Sequence, residues 1–252
     1  MSDMEKVYSR PTGILQDCAS GFCPGCFHGT IHKLICEVLE EMGLLDRAIR
    51  VAGIGCSGLG NKYLDMDNVN SPHGRACAVA TAVKRCSPDS IVFTYQGDGD
   101  LASIGGNELL HVCERGELIT TIFINNAIYG MTGGQMAPTT LIGQKATTCT
   151  DGRNAEKQGM PMRICELVST LDRAVYVERC SLDTPANIRK AKQAINRAFE
   201  VQKRKLGYSF VELLCACPTN WGMPPAKALE WVRSDMMAYY PVKQFRCPAE
   251  VK

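Results

Sequence analysis

The 252-residue sequence predicts an α/β protein built on one doubly wound, mostly parallel sheet, and three observations predict it. Residues 90–95 (SIVFTY) and 118–124 (LITTIFI) are continuous apolar runs, the pattern of strands buried on both faces. The stretch between them carries a helical period, which makes a parallel strand–helix–strand unit. No repeat, low-complexity tract or linker divides the chain, so residues 1–252 read as one domain, with a cysteine-bearing N-terminal segment (1–30) and a C-terminal tail (218–252).

The elements follow in order. Residues 31–42 form a helix with Ile31, Leu34, Ile35, Val38 and Leu39 on one stripe, closed by Gly43. Residues 48–54 form a short strand that ends in a glycine-rich turn around Cys56, and 60–74 read as loop. Residues 75–84 are small and apolar with a helical period. The strand 90–95 breaks at Gln96-Gly97-Asp98-Gly99-Asp100, a helix covers 101–115, and the strand 118–124 stops at Asn125-Asn126. Residues 130–160 are rich in Gly, Thr and Gln, a long loop of the kind usually kept for function. A short helix (162–171) and a strand (174–178) follow. Thr184 is placed as an N-cap with Pro185 at the first helical position, and Ile188, Ala191, Ile195, Ala198 and Phe199 face inward along a helix to about residue 205. Residues 208–214 are a buried strand, and the tail from Trp221 wraps the surface or a partner.

Composition narrows the function. Hydrophobic residues make up 45% and charged residues 21%, the balance of a folded globular chain. A net charge of +2 without a Lys/Arg run gives no field for nucleic acid. No apolar run approaches the roughly 18 residues of a membrane span. The start, Met1-Ser2-Asp3-Met4-Glu5-Lys6, has no leader pattern, so a cytoplasmic, reducing location is expected. There, 14 cysteines argue against a disulfide framework, and most are expected to be small buried hydrophobes.

Ligands in open parallel sheets sit beyond the carboxyl ends of the strands. Between Gly99 and Asn125 lie 25 residues, one helix and its return strand, so both turns fall on one sheet edge. Glycines beside Asp98 allow close approach of a phosphate, and the N-terminus of the following helix points there. One carboxylate and one carboxamide oxygen are a typical protein contribution to Mg²⁺. Either piece alone is an ordinary turn or strand stop; the pair at this spacing is a candidate site. Cys23-Pro24-Gly25-Cys26 admits three readings: a redox pair, half a zinc site or half an iron–sulfur site. No strand precedes it, which weakens the first. Cys56 and Cys217 lie past strand ends and offer the missing thiolates, with Cys215 competing with Cys217.

Gly97-Asp98-Gly99 and Asn125-Asn126 resemble the diphosphate-binding motif of thiamine diphosphate enzymes. That resemblance implies Mg²⁺ on Asp98, Asn126 and the carbonyl of Ile128. Together with the Cys23–Cys26 pair, Gly53-Ile54-Gly55-Cys56-Ser57-Gly58, His73-Gly74-Arg75, Gly97-Asp98-Gly99-Asp100, Asn125-Asn126-Ala127-Ile128-Tyr129-Gly130-Met131-Thr132-Gly133-Gly134-Gln135, Pro138-Thr139-Thr140 and Cys217-Pro218-Thr219, it is similar to the thiamine diphosphate-binding (β-type) subunit of 2-oxoacid:ferredoxin oxidoreductases. Phe27 and Ala82 stand where the family often has glycine, and neither is a proposed ligand. The resemblance implies a thiamine-binding α/β fold and one [4Fe–4S] cluster on Cys23, Cys26, Cys56 and Cys217. It places Gly97, Asp98, Gly99, Asp100, Asn126, Ile128, Tyr129, Gly130, Thr132, Cys56, Ser57 and His73 at the cofactor, with His73 the candidate catalytic group. His28 is expected to hydrogen-bond near the cluster. His32 and His111 are expected to be structural, and Met131, Met136, Met160 and Met162 to be packing groups. Glycine at 133, where pyruvate-type relatives often carry Lys, resembles the 2-oxoisovalerate and 2-oxoglutarate types.

The implied reaction is coenzyme A-dependent oxidative decarboxylation of a 2-oxoacid to acyl-CoA and CO₂, with electrons passing through the cluster to ferredoxin. The implied partners are an α-type subunit that supplies the pyrimidine-side Glu, a ferredoxin-like subunit and ferredoxin. Two alternatives share some residues: a non-redox thiamine decarboxylase or carboligase subunit, and a zinc-stabilised interaction module.

Overall fold

A computed structural model describes residues 8–251. The opening hexapeptide read for a leader, and the extreme ends of the 1–252 domain, lie outside the described residues. The strands are β1 (Ala48–Ala52), β2 (Asp67–Asn70), β3 (Ile91–Gly97), β4 (Thr120–Asn125), β5 (Ala174–Ser181), β6 (Tyr208–Leu214) and β7 (Lys243–Arg246). They form one sheet in the order β2-β1-β3-β4-β6-β5-β7. All pairings are parallel except β5 with β7. The chain runs from β1 to β2 one way and from β3 onward the other, so β1 and β3 flank the switch point of the topology.

Helices cover both faces. Alternate residues of each central strand go to opposite sides, as the pleat requires. Phe93 and Tyr95 of β3, Ile122 and Ile124 of β4 and Val211 and Leu213 of β6 pack with α1 (His28–Glu41). Val92, Phe123 and Phe210 pack on the other side with α2 (Ala76–Cys86) and α3 (Gly106–Arg115). A four-residue turn, α4 (Ala155–Gln158), lies in the long loop, and α5 (Ile164–Ser169) joins the second face. α6 (Pro185–Lys203) joins the first, and begins as its sequence dictates: Thr184 Oγ1 accepts the Asn187 N–H at 3.1 Å and Pro185 opens the helix. Its Ala191, Ile195, Ala198 and Phe199 are fully buried. Truncation of Phe199 to Ala costs about 3–5 kcal/mol by the usual core rule.

Four expectations change. The 60–74 segment is not all loop: Asp67–Asn70 is an edge strand, hidden in the sequence because its polar residues show no strand pattern. The helix expected over 101–115 is two pieces, a π-helical turn (Gly99–Ile104) and then α3 from Gly106. π turns of this kind concentrate at functional sites. The tail does more than wrap: it forms α7 (Pro218–Trp221), α8 (Pro225–Trp231) and α9 (Met237–Tyr239), then adds β7 antiparallel to β5. Met131, Met160 and Met162 are exposed rather than packed, and Met136 alone of the four meets a core cluster. His32 is buried against Tyr63 as a structural residue should be, while His111 sits on the surface of α3. No helix among the described residues is long and apolar enough to cross a membrane.

Candidate active site

The pairing of β3 with β4 sets Gly97 beside Ile124, so Asp98 and Asn126 leave the sheet as neighbours. Asp98 Oδ2 accepts the Asn126 N–H at 3.2 Å and the Thr139 hydroxyl at 2.7 Å. Asn126 turns the chain by accepting the Ile128 N–H on its own Oδ1 at 3.3 Å. Ala127 lies in the left-handed region, φ +56°, and the Asn125 carboxamide holds it by accepting the Ala127 N–H at 3.1 Å. Asn125 is fixed in turn by Glu212 of β6, which accepts its Nδ2 at 2.7 Å. Gly99 must be glycine: a Cβ there would sit 2.1 Å from the Tyr129 ring.

These turns line one cleft with the end of β1. Gly97, Asp98, Gly99, Asp100, Asn126, Ile128, Tyr129, Gly130, Thr132, Cys56, Ser57 and His73 all border it, together with His28, Ile54, Gly55 and Met131. Asp100 is buried and fully used. Its carboxylate accepts from His73 Nδ1 at 2.6 Å, the Gly74 N–H at 2.9 Å, the Ile54 N–H at 3.1 Å and Gln96 Nε2 at 2.6 Å. It ties the β1 loop to the 73–74 turn and orients His73, so a direct metal contact is not its evident task.

The cleft is marked by buried carboxylates, Asp98 and Asp100. Burial pushes the Asp98 carboxyl up to about 7 despite its hydrogen bonds. Among the described residues, no lysine or arginine lines the cleft. The Ser57 hydroxyl is buried with no partner. A divalent metal held by Asp98 and Asn126, with a diphosphate in the cleft, would fit each of these features.

The cysteines gather next door. Cys23, Cys26, Cys56 and Cys217 line a small cavity that shares His28, Cys56, Asn126 and Gly130 with the cleft. The Cys56 and Cys217 sulfurs lie 3.4 and 3.7 Å from the point a Cβ on Gly130 would occupy. The Cys23–Cys26 loop closes through a 3.1 Å bond from the Cys26 N–H to the Cys23 carbonyl, with Gly25 at φ +78° between them. Burial first, then the charges of Cys26, Cys217 and Cys23, pushes the Cys56 thiol up to about 12. A bound metal would favour the ionised form of this thiol. Among the described residues, no group of three or more His, Cys, Asp or Glu closes around a single metal ion. Cys215 lies behind: it is fully buried, does not border the cavity, and its hydrogen bond with Cys26 is the main cause that lowers the Cys26 thiol.

Several residues that build the site had no assigned role in the sequence. Thr139 grips Asp98, Trp221 Nε1 donates to the Asn126 carbonyl at 3.1 Å, and Asn220 Nδ2 donates to the Gly130 carbonyl at 2.7 Å and to Cys217 Sγ at 3.4 Å. Thr139 lies in a marked tripeptide, but nothing in the sequence distinguishes a buried hydroxyl from an exposed one.

Residues 53–212 match the family described as thiamine pyrophosphate enzyme, C-terminal TPP binding domain. The ketoisovalerate oxidoreductase subunit VorA of Methanothermobacter thermautotrophicus is 46% identical over 243 residues, 96% of this chain and 51% of that one. The 2-oxoglutarate synthase subunit KorB of Archaeoglobus fulgidus is 38% identical over 214 residues, 85% of this chain and 76% of that one. The chain thus spans about half the length of its VorA relatives. A solved 2-oxoglutarate:ferredoxin oxidoreductase from Magnetococcus marinus, with 2-oxoglutarate, coenzyme A and succinyl-CoA bound, superposes with a TM-score of 0.78 at 25% identity, over 99% of this chain and 87% of that one.

Proposed function

The chain belongs to the thiamine pyrophosphate enzymes, among the thiamine-binding subunits of 2-oxoacid:ferredoxin oxidoreductases, and on that premise we propose that it is the thiamine- and cluster-bearing part of a coenzyme A-dependent 2-oxoacid oxidoreductase. One observation carries the reading: a cleft suited to a metal–diphosphate and a four-cysteine cavity share a wall. A non-redox decarboxylase has no use for that cavity. Four cysteines on the border of one cavity supply the thiolates that a [4Fe–4S] cluster takes.

Bound there, thiamine diphosphate supplies an electron sink for decarboxylation and a [4Fe–4S] cluster takes up electrons singly. The chain's own residues do the holding. Asp98, the Asn126 carboxamide and the Ile128 carbonyl take Mg²⁺. Gly97, Gly99, Asp100, Tyr129, Gly130 and Thr132 shape the cleft, and Ser57 offers its unpartnered hydroxyl. Cys23, Cys26, Cys56 and Cys217 take the cluster. His73 is the candidate catalytic group: Asp100 holds its Nδ1–H, which leaves Nε2 to accept a proton at the cleft. Tyr129, packed on Gly99, excludes water from the metal turn.

The substrate is a 2-oxoacid of the 2-oxoisovalerate or 2-oxoglutarate type. Gly133 sits at φ +109°, a conformation a side chain rarely adopts, so the loop carries no cation there. Ile54 and Met131, each 48% exposed, give the cleft an apolar rim that suits a branched aliphatic chain. The products are acyl-CoA and CO₂, and the electrons leave for ferredoxin. An α-type subunit supplies the pyrimidine-side Glu, and a ferredoxin-like subunit continues the electron path. Free thiols at Cys23, Cys26, Cys56 and Cys217 suit a reducing cytoplasm.

The test is metal and cofactor analysis of anaerobically purified protein. About four irons per chain are expected, and one thiamine diphosphate per chain once the α-type subunit is present. Zinc without iron would favour the interaction module, and thiamine without iron the non-redox enzyme.

A further inference from the structure

The wall between cleft and cavity consists of His28, Cys56, Asn126 and Gly130. Cys56 and Asn126 already have roles as cluster and metal ligands, and Gly130 offers no side chain. We infer that His28 presents its Nε2–H to the [4Fe–4S] cluster and raises the cluster's midpoint potential, with Tyr95 as the residue that fixes it for this task. The inference rests on the cluster reading above.

The geometry fixes the donor. Tyr95 is fully buried in β3, and its hydroxyl lies 2.7 Å from His28 Nδ1. A buried hydroxyl must place its proton on an acceptor, so Nδ1 accepts and the ring hydrogen resides on Nε2. The ring cannot turn away easily, because it stacks on Phe22 at 4.9 Å with planes 21° apart and the residue is 2% exposed. His28 is also the first residue of α1, two positions after Cys26, and its backbone N–H helps to lower the Cys26 thiol. Side chain and main chain therefore both belong to the cluster's surroundings.

An N–H directed at a cluster stabilises the more negative, reduced state over the oxidised one. Hydrogen bonds to cluster sulfurs are one of the levers that set such potentials. A cluster so biased accepts electrons more readily from the cleft across the wall.

The test uses the full chain, purified anaerobically and reconstituted with ferrous iron and sulfide, and redox titration followed by electron paramagnetic resonance. His28→Leu removes the donor, His28→Gln keeps one, and Tyr95→Phe releases the ring. With iron content retained, His28→Leu is expected to lower the midpoint potential. His28→Gln should restore part of the loss, and Tyr95→Phe should shift it the same way by less. If His28→Leu alone loses iron, the other two variants decide. An unchanged potential at full iron content overturns the inference, and so does loss of iron from both His28 variants, which would make the residue a structural support. Wild-type chain without iron would instead overturn the cluster reading itself.

Discussion

Asp98 and Cys217 each have a test that separates site from scaffold. Asp98 is buried and desolvation opposes its charge, so removing that charge relieves the penalty while removing a proposed metal ligand. Asp98→Asn should keep or raise the melting temperature of the cofactor-free protein. It should also abolish the further rise that Mg²⁺ with thiamine diphosphate gives the wild type, with metal affinity down by at least about 10–100-fold. A thermal-shift series with and without both ligands reads the two effects together; a large loss in the cofactor-free protein would mean that Asp98 is structural. The cysteines divide similarly. Cys217 borders the cavity and Cys215 does not, although the two are one residue apart. Cys217→Ser should lose iron and Cys215→Ser should keep it; the reverse result reassigns the fourth ligand. Sequence left that choice open because both residues follow the same strand, and only the turn into α7 decides which one faces the cavity.

At the scale of elements, the long loop is a built object. Arg153 is buried and wound about by its own loop, donating to the carbonyls of Ala137, Pro138, Thr140, Gln158, Gly159 and Met160. The same loop carries Thr139 to Asp98. Arg153→Gln should cost at least about 2–3 kcal/mol, since hydrogen bonds to a charged group are the stronger kind and several carbonyls lose their donor. Limited proteolysis should then cut between residues 137 and 160 and cofactor affinity should fall with it; an uncut loop would sink this account. The tail has a titrating latch. Burial works against the Asp183 carboxylate, but bonds from Asn187, Ser181 and Arg233 outweigh it and hold its carboxyl below the ordinary 3.8. A depressed folded-state value means stability that is present above the unfolded pKa and lost as pH falls through the folded one. Asp183→Asn should therefore destabilise the protein at pH 7, with the difference from wild type shrinking as the pH falls below 3.8 in denaturant titrations; a deficit that does not shrink contradicts the latch. Strands with continuous apolar runs were legible, β3, β4 and β6 above all, because burial on both faces writes itself into residue type. β2 and β7 were not, since polar edge strands owe their place to backbone pairing with a neighbour. The π turn after Asp98 was equally hidden: it packs against the distant 73–74 turn so closely that a Cβ on Gly105 would fall 2.9 Å from the Gly74 carbonyl.

At the scale of the whole molecule, the site is incomplete in a way that geometry can measure. The cleft encloses about 130 Å³, below the roughly 300–1,000 Å³ of a typical enclosed small-molecule site. In the proposed function it takes the metal–diphosphate end of the cofactor, and a covering surface encloses the rest. Its rim is apolar where water would otherwise reach the cofactor, with Ile54 and Met131 half exposed. Such residues are stabilised by a partner's surface rather than by solvent. Among the described residues, none that borders the cleft is a glutamate, which agrees with the proposal that a partner supplies it. Three results are expected together. The isolated chain should bind thiamine diphosphate weakly, should release no CO₂ from 2-oxoisovalerate with a viologen acceptor, and should gain both properties when the α-type subunit is added. Met131→Glu, which sets a charge on the rim without touching the metal turn, should weaken that association while leaving iron content unchanged. Sustained turnover by the isolated chain would show that 252 residues already hold a complete site, and the two-subunit account would fail at its premise.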